Sequence, residues 1–184
     1  MRAFLLLSLV LLPCLAWAAE TRTPPHAAAA SRAPAHQAAR PEGPKALGRF
    51  EDWTAATHIE ARQTVCYAFT RAVPPAGPAP DRGDAVLTVT ERPGGRDAVA
   101  ISAGFAYPPN AAVGVDVDQA KLDFYTATRN AFARDGHAAV AAFQKGRQAV
   151  AHSPGPRGAA VTDTFSLRGF EAAYAAINKV CPAR

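Results

Sequence analysis

The sequence predicts an α+β fold: a mainly antiparallel β domain of six to seven strands, with a C-terminal helix packed on the sheet and one disulfide. Three observations lead to this prediction. Segments with period-two patterning follow one another across turn residues, without regular alternation with helices. An amphipathic segment closes the chain, and two cysteines stand near the two ends of the region that contains these elements.

The strand segments are rich in β-branched and aromatic residues and are bounded by Pro, Gly or Asp turns. They comprise residues 62–70, 84–92, 97–103, 112–117, 121–126, 147–152 and 160–165. Pro93-Gly94-Gly95 separates the second segment from the third and predicts an antiparallel hairpin. A turn at Asp118-Gln119 predicts a second hairpin.

Two helices are expected. Residues 136–145 are rich in alanine and end at Gly146. The closing helix is the clearer of the two, because Leu167 and four further apolar residues at spacings of three and four share one face. Ser166 is the expected N-cap in front of it. We expect this face to cover the sheet.

The N-terminal region divides into two parts. Residues 1–18 have the features of a signal peptide: Arg2, an apolar core of about nine residues and the cleavage site Ala16-Trp17-Ala18. Residues 19–49 are expected to form a disordered, basic linker rich in proline and alanine, because they contain almost no sizeable aliphatic side chain. This linker is either a simple spacer or a basic tether to anionic envelope polymers. Residues 50–184 form the predicted domain.

Cleavage would remove Cys14 and leave Cys66 and Cys181, which in an oxidising compartment predict one disulfide between positions 115 apart. The sequence shows no Cys-x-x-Cys or His-x-x-x-His pair, so we expect no metal and no cofactor. No segment after the signal peptide has the length of a transmembrane helix.

The positive charge is concentrated before the domain. Residues 19–49 hold a net charge of +3, whereas residues 50–184 hold only +1, out of +5 for the whole chain. A nucleic-acid-binding domain would place its positive charge on the folded surface. We therefore expect no nucleic-acid partner.

No residue set specifies a reaction, and we expect the protein not to be an enzyme. The polar side chains with the best claim to binding flank predicted strands and loops; they are Arg82, Asp84, Arg92, Arg157 and Asp163. Paired arginine and carboxylate groups either fix a loop or recognise an anion or a partner. The alternative hypothesis is a periplasmic hydrolase or inhibitor module with a site near Arg157, Asp163 and His152.

Several short motifs, in this order and spacing, resemble the invasion-associated locus B family of exported bacterial proteins. They are Cys66-Tyr67-Ala68, Arg82-Gly83-Asp84, Val89-Thr90, Arg92-Pro93, Gly104-Phe105, Gln144-Lys145-Gly146, Arg157-Gly158, and Asp163-Thr164-Phe165-Ser166-Leu167 followed by Gly169-Phe170. Phe105 and Phe165 stand where the family usually has tyrosine. An Ala131-Phe132 pair replaces a common Ala-Trp, and Asp118-Gln119 replaces a common Asp-Gly turn.

The resemblance implies a protein of the periplasm, secreted or associated with the outer membrane, and linked in some pathogens to host-cell invasion. It brings no established catalytic mechanism. We therefore expect a non-catalytic accessory or binding protein that supports invasion or envelope integrity. Its expected partner is an envelope protein or polymer, with peripheral membrane association compatible with this role.

Overall fold

The computed structural model describes residues 43–74 and 82–183. For Arg157, which lies within the second range, it describes the backbone but not the side chain. The predicted signal peptide and the predicted linker up to residue 42 lie outside the described residues. Within the described ranges no helix is long and apolar enough to cross a membrane.

Ten strands and two helices make up the described chain. The strands are β1 Lys45–Phe50, β2 Trp53–Glu60, β3 Gln63–Arg71, β4 Val86–Arg92, β5 Gly95–Ser102, β6 Ala112–Val117, β7 Ala120–Ala127, β8 Asn130–Ala133, β9 Gln148–Pro154 and β10 Ala160–Ser166. The helices are α1 Gly136–Phe143 and α2 Phe170–Val180, and a short 3₁₀ turn spans Pro156–Gly158.

All ten strands belong to one sheet in the order β1-β2-β3-β4-β5-β8-β7-β6-β9-β10, and every pairing is antiparallel. The mainly antiparallel architecture with a C-terminal helix is confirmed. Both predicted hairpins, β4–β5 and β6–β7, are present.

The predicted number of six to seven strands is wrong, because β1, β2 and β8 were not foreseen. β1 contains a bulge between Ala46 and Gly48 and lies at the sheet edge, so its sequence lacks a regular alternation. β8 has only four residues, too few for a period to be recognised. The first strand also takes in residues 45–49, so regular structure begins before the predicted boundary at residue 50.

The sheet curls until the end of β3 meets β10. Ala72 pairs with Phe165 in an isolated bridge, and the amide of Val73 donates to the carbonyl of Thr164 at 2.7 Å. The buried face therefore encloses the core, and the opposite face of the same strands is directed outward.

Helix α2 covers β1, β2 and β3, as the apolar face of its sequence predicts. Phe170 is fully buried and its ring lies 4.8 Å from that of Trp53 and 5.6 Å from that of Phe143, which closes α1. Ile177, two turns further along the same face of α2, is also fully buried. Truncating an aromatic side chain of this kind costs about 3 to 5 kcal/mol.

The start of α2 differs from the prediction. The N-cap is Gly169, in a left-handed conformation with φ +85°, and no side chain caps this end. A Cβ at Gly169 would lie 2.1 Å from the carbonyl oxygen of Phe50, so only glycine fits. Ser166 instead closes β10 and donates to Asp52 Oδ2 at 2.6 Å. The prediction of Ser166 as the N-cap is therefore wrong, because the observed N-cap lies three residues later.

The predicted disulfide between Cys66 and Cys181 is confirmed, with the two Cα atoms 6.0 Å apart. It joins β3 to the residue that follows α2. Cross-links of this span stabilise a fold by roughly 4 to 5 kcal/mol in the chain-entropy model. The C-terminal helix is thus held by its apolar face and by a covalent bond.

Candidate functional site

Arg82 and Asp163 form an ion pair in which Arg82 Nη2 lies 2.5 Å from Asp163 Oδ2. Both side chains are largely buried, with Asp163 only 8 % exposed. Arg82 Nε also donates to the carbonyl of Ala103 at 2.9 Å, and its guanidinium lies 5.2 Å from the ring centre of Phe105. The arginine is therefore engaged on three sides and fixes the segment before β4 to β10.

Tyr107 lies against this ion pair. Burial, with a smaller contribution from the charge of Asp163, raises the pKa of Tyr107 to about 12. The phenol consequently stays protonated at neutral pH. Asp163 is thus held in a largely buried ion pair with Arg82 and lies beside a protonated phenol.

Asp84 lies beside the pair, and Arg82, Asp84 and Asp163 line one small cavity of about 220 Å³. Asp84 is itself paired with Arg71 Nη1 at 2.5 Å, in an exposed bridge. Exposed bridges of this type contribute little to stability, on the order of 0 to 1 kcal/mol. Arg157 belongs to the 3₁₀ turn, and its side chain lies outside the described residues.

Arg92 ends β4, roughly 20 Å along the strand from its first residue, Val86, and so lies at the opposite end of the strand from Asp84. Its Nε is 3.1 Å from Glu60 Oε2. Of the five predicted binding residues, the structure therefore brings together Arg82, Asp84 and Asp163, and it places Arg92 at another site.

The hydrolase hypothesis requires Asp163 and His152 in one cleft. In the β9–β10 register His152 is opposite Thr162, while Asp163 is opposite Ala151. Because successive side chains of a strand point to opposite faces, Asp163 points into the core and His152 points outward. His152 Nε2 instead lies 3.5 Å from Asp116 Oδ2. The two residues do not share a cleft.

A second polar cluster, outside the residues predicted from the sequence, is centred on the fully buried Glu91. Glu91 is the cross-strand partner of Cys66 and accepts from Arg96 Nε at 2.8 Å. Arg96 also donates to Asn178 Oδ1 and, at 2.6 Å, to the carbonyl of Cys181. We call Glu91, Arg96, Asn178 and the Cys66–Cys181 disulfide the inner clamp.

Asp97 extends the inner clamp toward both helices. Its carboxylate accepts from the hydroxyl of Tyr174 at 2.6 Å and lies 3.1 Å from His137 Nδ1. These hydrogen bonds outweigh burial and lower the pKa of Asp97. Burial and the contact with Asp97 raise the pKa of Tyr174 to about 12.

Burial raises the pKa of Glu91 to about 7. A carboxyl group with such a pKa is a candidate for proton transfer wherever it faces a cleft. Glu91 instead lies opposite Cys66 of the disulfide and is bound by Arg96, which contacts the end of α2. The strand pattern held a signal for this position, because Leu87, Val89 and Glu91 fall on the same buried face.

An aromatic depression occupies the outer face of β2, β3 and β4. It has a volume of about 630 Å³, and its nine lining residues are Pro44, His58, Tyr67, Phe69, Thr88, Thr90, Ile59, Val86 and Arg92. We call the first six of these the outer groove. Tyr67 and Phe69 stack with ring centres 6.1 Å apart, and His58 meets the edge of Tyr67 at 5.4 Å. Arg92, paired with Glu60, stands at the rim.

The strand register extends this surface beyond the groove. Phe69 is opposite Thr88, Thr88 is opposite Ala100, and Ala100 is opposite Phe132. Phe132 in turn stacks on Tyr125, which is 45 % exposed, at 5.6 Å. Two aromatic pairs are thus separated by a floor of small side chains, all on the outer face.

The outer groove was missed from sequence although a signal existed. Cys66 and Ala68 of the predicted strand must face the core if the disulfide forms, and period two then directs Tyr67 and Phe69 outward. The alignment of Phe69 with Phe132 across β4 and β5 carried no such signal, since it depends on the pairing of β5 with β8.

Over residues 43–74 and 82–183, no group of three or more His, Cys, Asp or Glu side chains could hold a metal ion.

Comparisons with known proteins agree with the fold. A family model described as "Invasion associated locus B (IalB) protein" matches residues 53–178. The crystal structure of invasion associated protein b from Bartonella henselae is similar in fold, with a TM-score of 0.53 and 16% sequence identity over 72% of this chain and 95% of that one. A search of curated protein sequences finds no match. With two thirds of its length matched by the family model, the chain belongs to the invasion associated locus B family.

Proposed function

We propose that this chain is an exported, non-catalytic accessory protein of the bacterial envelope that binds a macromolecular partner through the outer groove. The observation that carries the proposal is the pair of partly exposed aromatic side chains, Tyr67 and Phe69, on the outward face of β3. The biological outcome we propose is support of envelope integrity or of host-cell invasion.

The outer groove has the properties of a binding surface. Aromatic side chains supply large contact area at a small entropic cost, and they are enriched at protein interfaces. The strands that present them are paired on both sides and backed by the buried core, so the groove needs little reorganisation on binding. Rigid presentation of partly exposed aromatic side chains favours recognition of a partner.

The absence of catalysis is proposed because the titratable groups with shifted pKa values are engaged in the interior. Glu91 binds Arg96, Asp97 binds Tyr174, and Tyr107 lies against the Arg82–Asp163 pair. None of these side chains lines the outer groove. They stabilise the scaffold that presents the groove.

An extracytoplasmic location, in the periplasm or at the outer membrane, supports the same proposal. The first eighteen residues have the pattern of a signal peptide. The disulfide between Cys66 and Cys181 is typical of an oxidising compartment.

Site-directed photo-crosslinking in intact cells tests the proposal. A photoreactive phenylalanine analogue replaces Thr88, on the floor of the outer groove, and in a matched control replaces Thr162, which is exposed on the outer face of β10. We expect a discrete adduct with an envelope macromolecule from position 88 and none from position 162.

Equal labelling at both positions, or no adduct from position 88, contradicts the proposal. Phe69→Ala combined with the photoreactive residue at position 88 should abolish the adduct. The disulfide and the melting temperature of each variant show that the fold is retained.

A further inference from the structure

We infer that one end of the domain docks on a lipid bilayer with anionic headgroups, an interaction separate from that of the outer groove. The docking surface is the open end of the core, between β2 and the last turn of α2. Exposed aliphatic side chains lie there beside exposed cations. Peripheral proteins bind anionic membranes through this combination of apolar anchors and basic side chains.

The aliphatic side chains of this surface line a single cavity. Within the described part of the chain, four large apolar side chains are exposed, namely Ile59, Val73, Tyr125 and Val180. Two of these, Ile59 at 56 % and Val180 at 45 %, line a cavity of about 360 Å³ together with Leu47. We call the cavity lined by Leu47, Ile59 and Val180 the end cavity. Exposed apolar side chains that cluster in this way mark an interaction surface.

The strand pattern explains why the end cavity is apolar and open. On β2, alternate residues from Trp53 to Thr57 are buried under α2, and Ile59 is the next member of the same row. The disulfide brings the end of α2 to this row, since Cys181 Sγ lies 3.7 Å from the carbonyl oxygen of Thr64, the cross-strand partner of Ile59. The end cavity is therefore the place where the core row passes the end of the helix and meets solvent.

Three exposed cations surround the end cavity. Lys45 lines it, Lys179 precedes Val180 in the last turn of α2, and Arg62 lies in the turn that joins β2 to β3. Among the residues that the structure describes, none of these three cations forms an ion pair. Their positive charge is thus available to an anionic surface.

The acidic residue of the β2–β3 hairpin does not cancel this charge. It is Glu60, whose Oε2 lies 3.1 Å from Arg92 Nε, so that a fourth cation already offsets it. The excess positive charge complements anionic headgroups, and each Lys or Arg near such a surface strengthens binding by a factor of about five.

The aliphatic side chains distinguish a bilayer from a soluble anionic polymer. A polymer would be held by the cations alone, whereas a bilayer also takes apolar side chains out of water. Ile59 and Val180 are exposed beside the cations, so both contributions are present at one surface. The end cavity therefore fits a lipid surface.

The test is co-sedimentation of the purified, disulfide-bonded chain, lacking the predicted signal peptide, with lipid vesicles. One set of vesicles contains phosphatidylcholine alone, and the other contains phosphatidylcholine with phosphatidylglycerol. Dextran sulfate is the soluble anionic polymer, and calorimetry reports its binding. The melting temperature of each variant shows that the fold is retained.

We expect the protein to sediment with the phosphatidylglycerol vesicles and not with phosphatidylcholine alone. Ile59→Ala combined with Val180→Ala should weaken partitioning at least about tenfold, because apolar groups that enter the bilayer are lost. Lys45→Gln should weaken it about fivefold. The matched controls are Val73→Ala, which is 53 % exposed at another cavity, and Lys145→Gln, which is exposed after α1. Both controls should leave partitioning unchanged.

No sedimentation with the phosphatidylglycerol vesicles, or equal sedimentation with both sets, overturns the inference. Unaltered partitioning of the folded Ile59→Ala, Val180→Ala protein also overturns it. Binding of dextran sulfate as tight as that of the vesicles, weakened by Lys45→Gln only, would assign the cations to an anionic polymer and contradict a lipid partner. The proposed function is judged separately, by the adduct at position 88 in the outer groove.

Discussion

The inner clamp and the outer groove occupy opposite faces of β3 and β4. The side chains of the clamp are bound to one another inside the protein, whereas those of the groove line the outer surface. On β3, Cys66 points inward to the disulfide while its neighbour Tyr67 points outward. On β4, Glu91 is fully buried against Arg96 while Thr90 lines the groove. Strand alternation thus separates residues that hold the fold from residues available to a partner.

The largest expected effect comes from opening the inner clamp at its covalent bond. Cys181→Ser should lower the free energy of unfolding by about 4 to 5 kcal/mol, because the unfolded chain regains the freedom of a long loop. Denaturant unfolding measures this change. Reduction of the unmodified protein is the matched control and should give a similar loss; an unchanged midpoint in both would contradict the role of the disulfide.

Replacing Arg96 of the inner clamp should have the next largest effect on stability. Arg96→Ala removes the partner of a buried carboxylate and two contacts to the end of α2, so it should cost about 3 kcal/mol at pH 8. Arg92→Ala is the control, because its bridge to Glu60 is exposed and should contribute less than about 1 kcal/mol. Equal losses of stability for the two variants in urea unfolding would show that the buried ion pair of Arg96 stabilises the fold no more than the exposed bridge of Arg92.

A backbone test concerns the start of α2, which the sequence misplaced. Gly169→Ala should cost about 2 kcal/mol, since the new Cβ meets the carbonyl of Phe50 in a left-handed conformation. Ser166→Ala should cost less, about 1 kcal/mol, because only an exposed hydrogen bond to Asp52 is lost. The reverse order in thermal unfolding would restore Ser166 as the cap.

The pH dependence of stability should report on Glu91. Burial raises its pKa to about 7 in the folded protein, so the folded state holds the proton more tightly than the unfolded state. The contribution to stability is fully present below the ordinary pKa of 4.5 and is lost as pH rises through 7. Asp97 has a lowered pKa in the folded protein, so its contribution to stability is present above its ordinary pKa of 3.8 and is lost as the pH falls below that value.

Urea unfolding between pH 5 and pH 8 measures this effect. The unmodified protein should lose stability across the range, and Glu91→Gln should flatten the profile. Glu60→Gln, at an exposed position, is the control and should keep the slope of the unmodified protein. A slope that survives Glu91→Gln would assign the titration to another group.

The elements with a clear period were predictable from the sequence. The β4–β5 hairpin follows from the turn at Pro93-Gly94-Gly95, and the apolar face of α2 follows from its spacing. The edge strand β1, with its bulge, and the four-residue β8 have no sufficient period. The position of the α2 cap depends on the close approach of Gly169 to Phe50, a tertiary contact that local sequence does not encode.

The same distinction applies to the candidate site. Arg82, Asp84 and Asp163 were recognised as charged residues, but the partner of Asp163 is decided by strand order, which places Arg82 beside it. Glu91 was overlooked because a charged residue is seldom fully buried. The groove required the register between β3, β4, β5 and β8, which arises from pairing across the sheet.

The most direct test of the account combines stability and binding in one variant. Phe69→Ala truncates a partly buried aromatic side chain, so it should lower the free energy of unfolding by less than the roughly 3 to 5 kcal/mol of a core aromatic and leave the protein folded. The same variant should lose the adduct at position 88 in intact cells. Capture that persists in a folded Phe69→Ala protein would contradict the central claim that the outer groove is the binding surface.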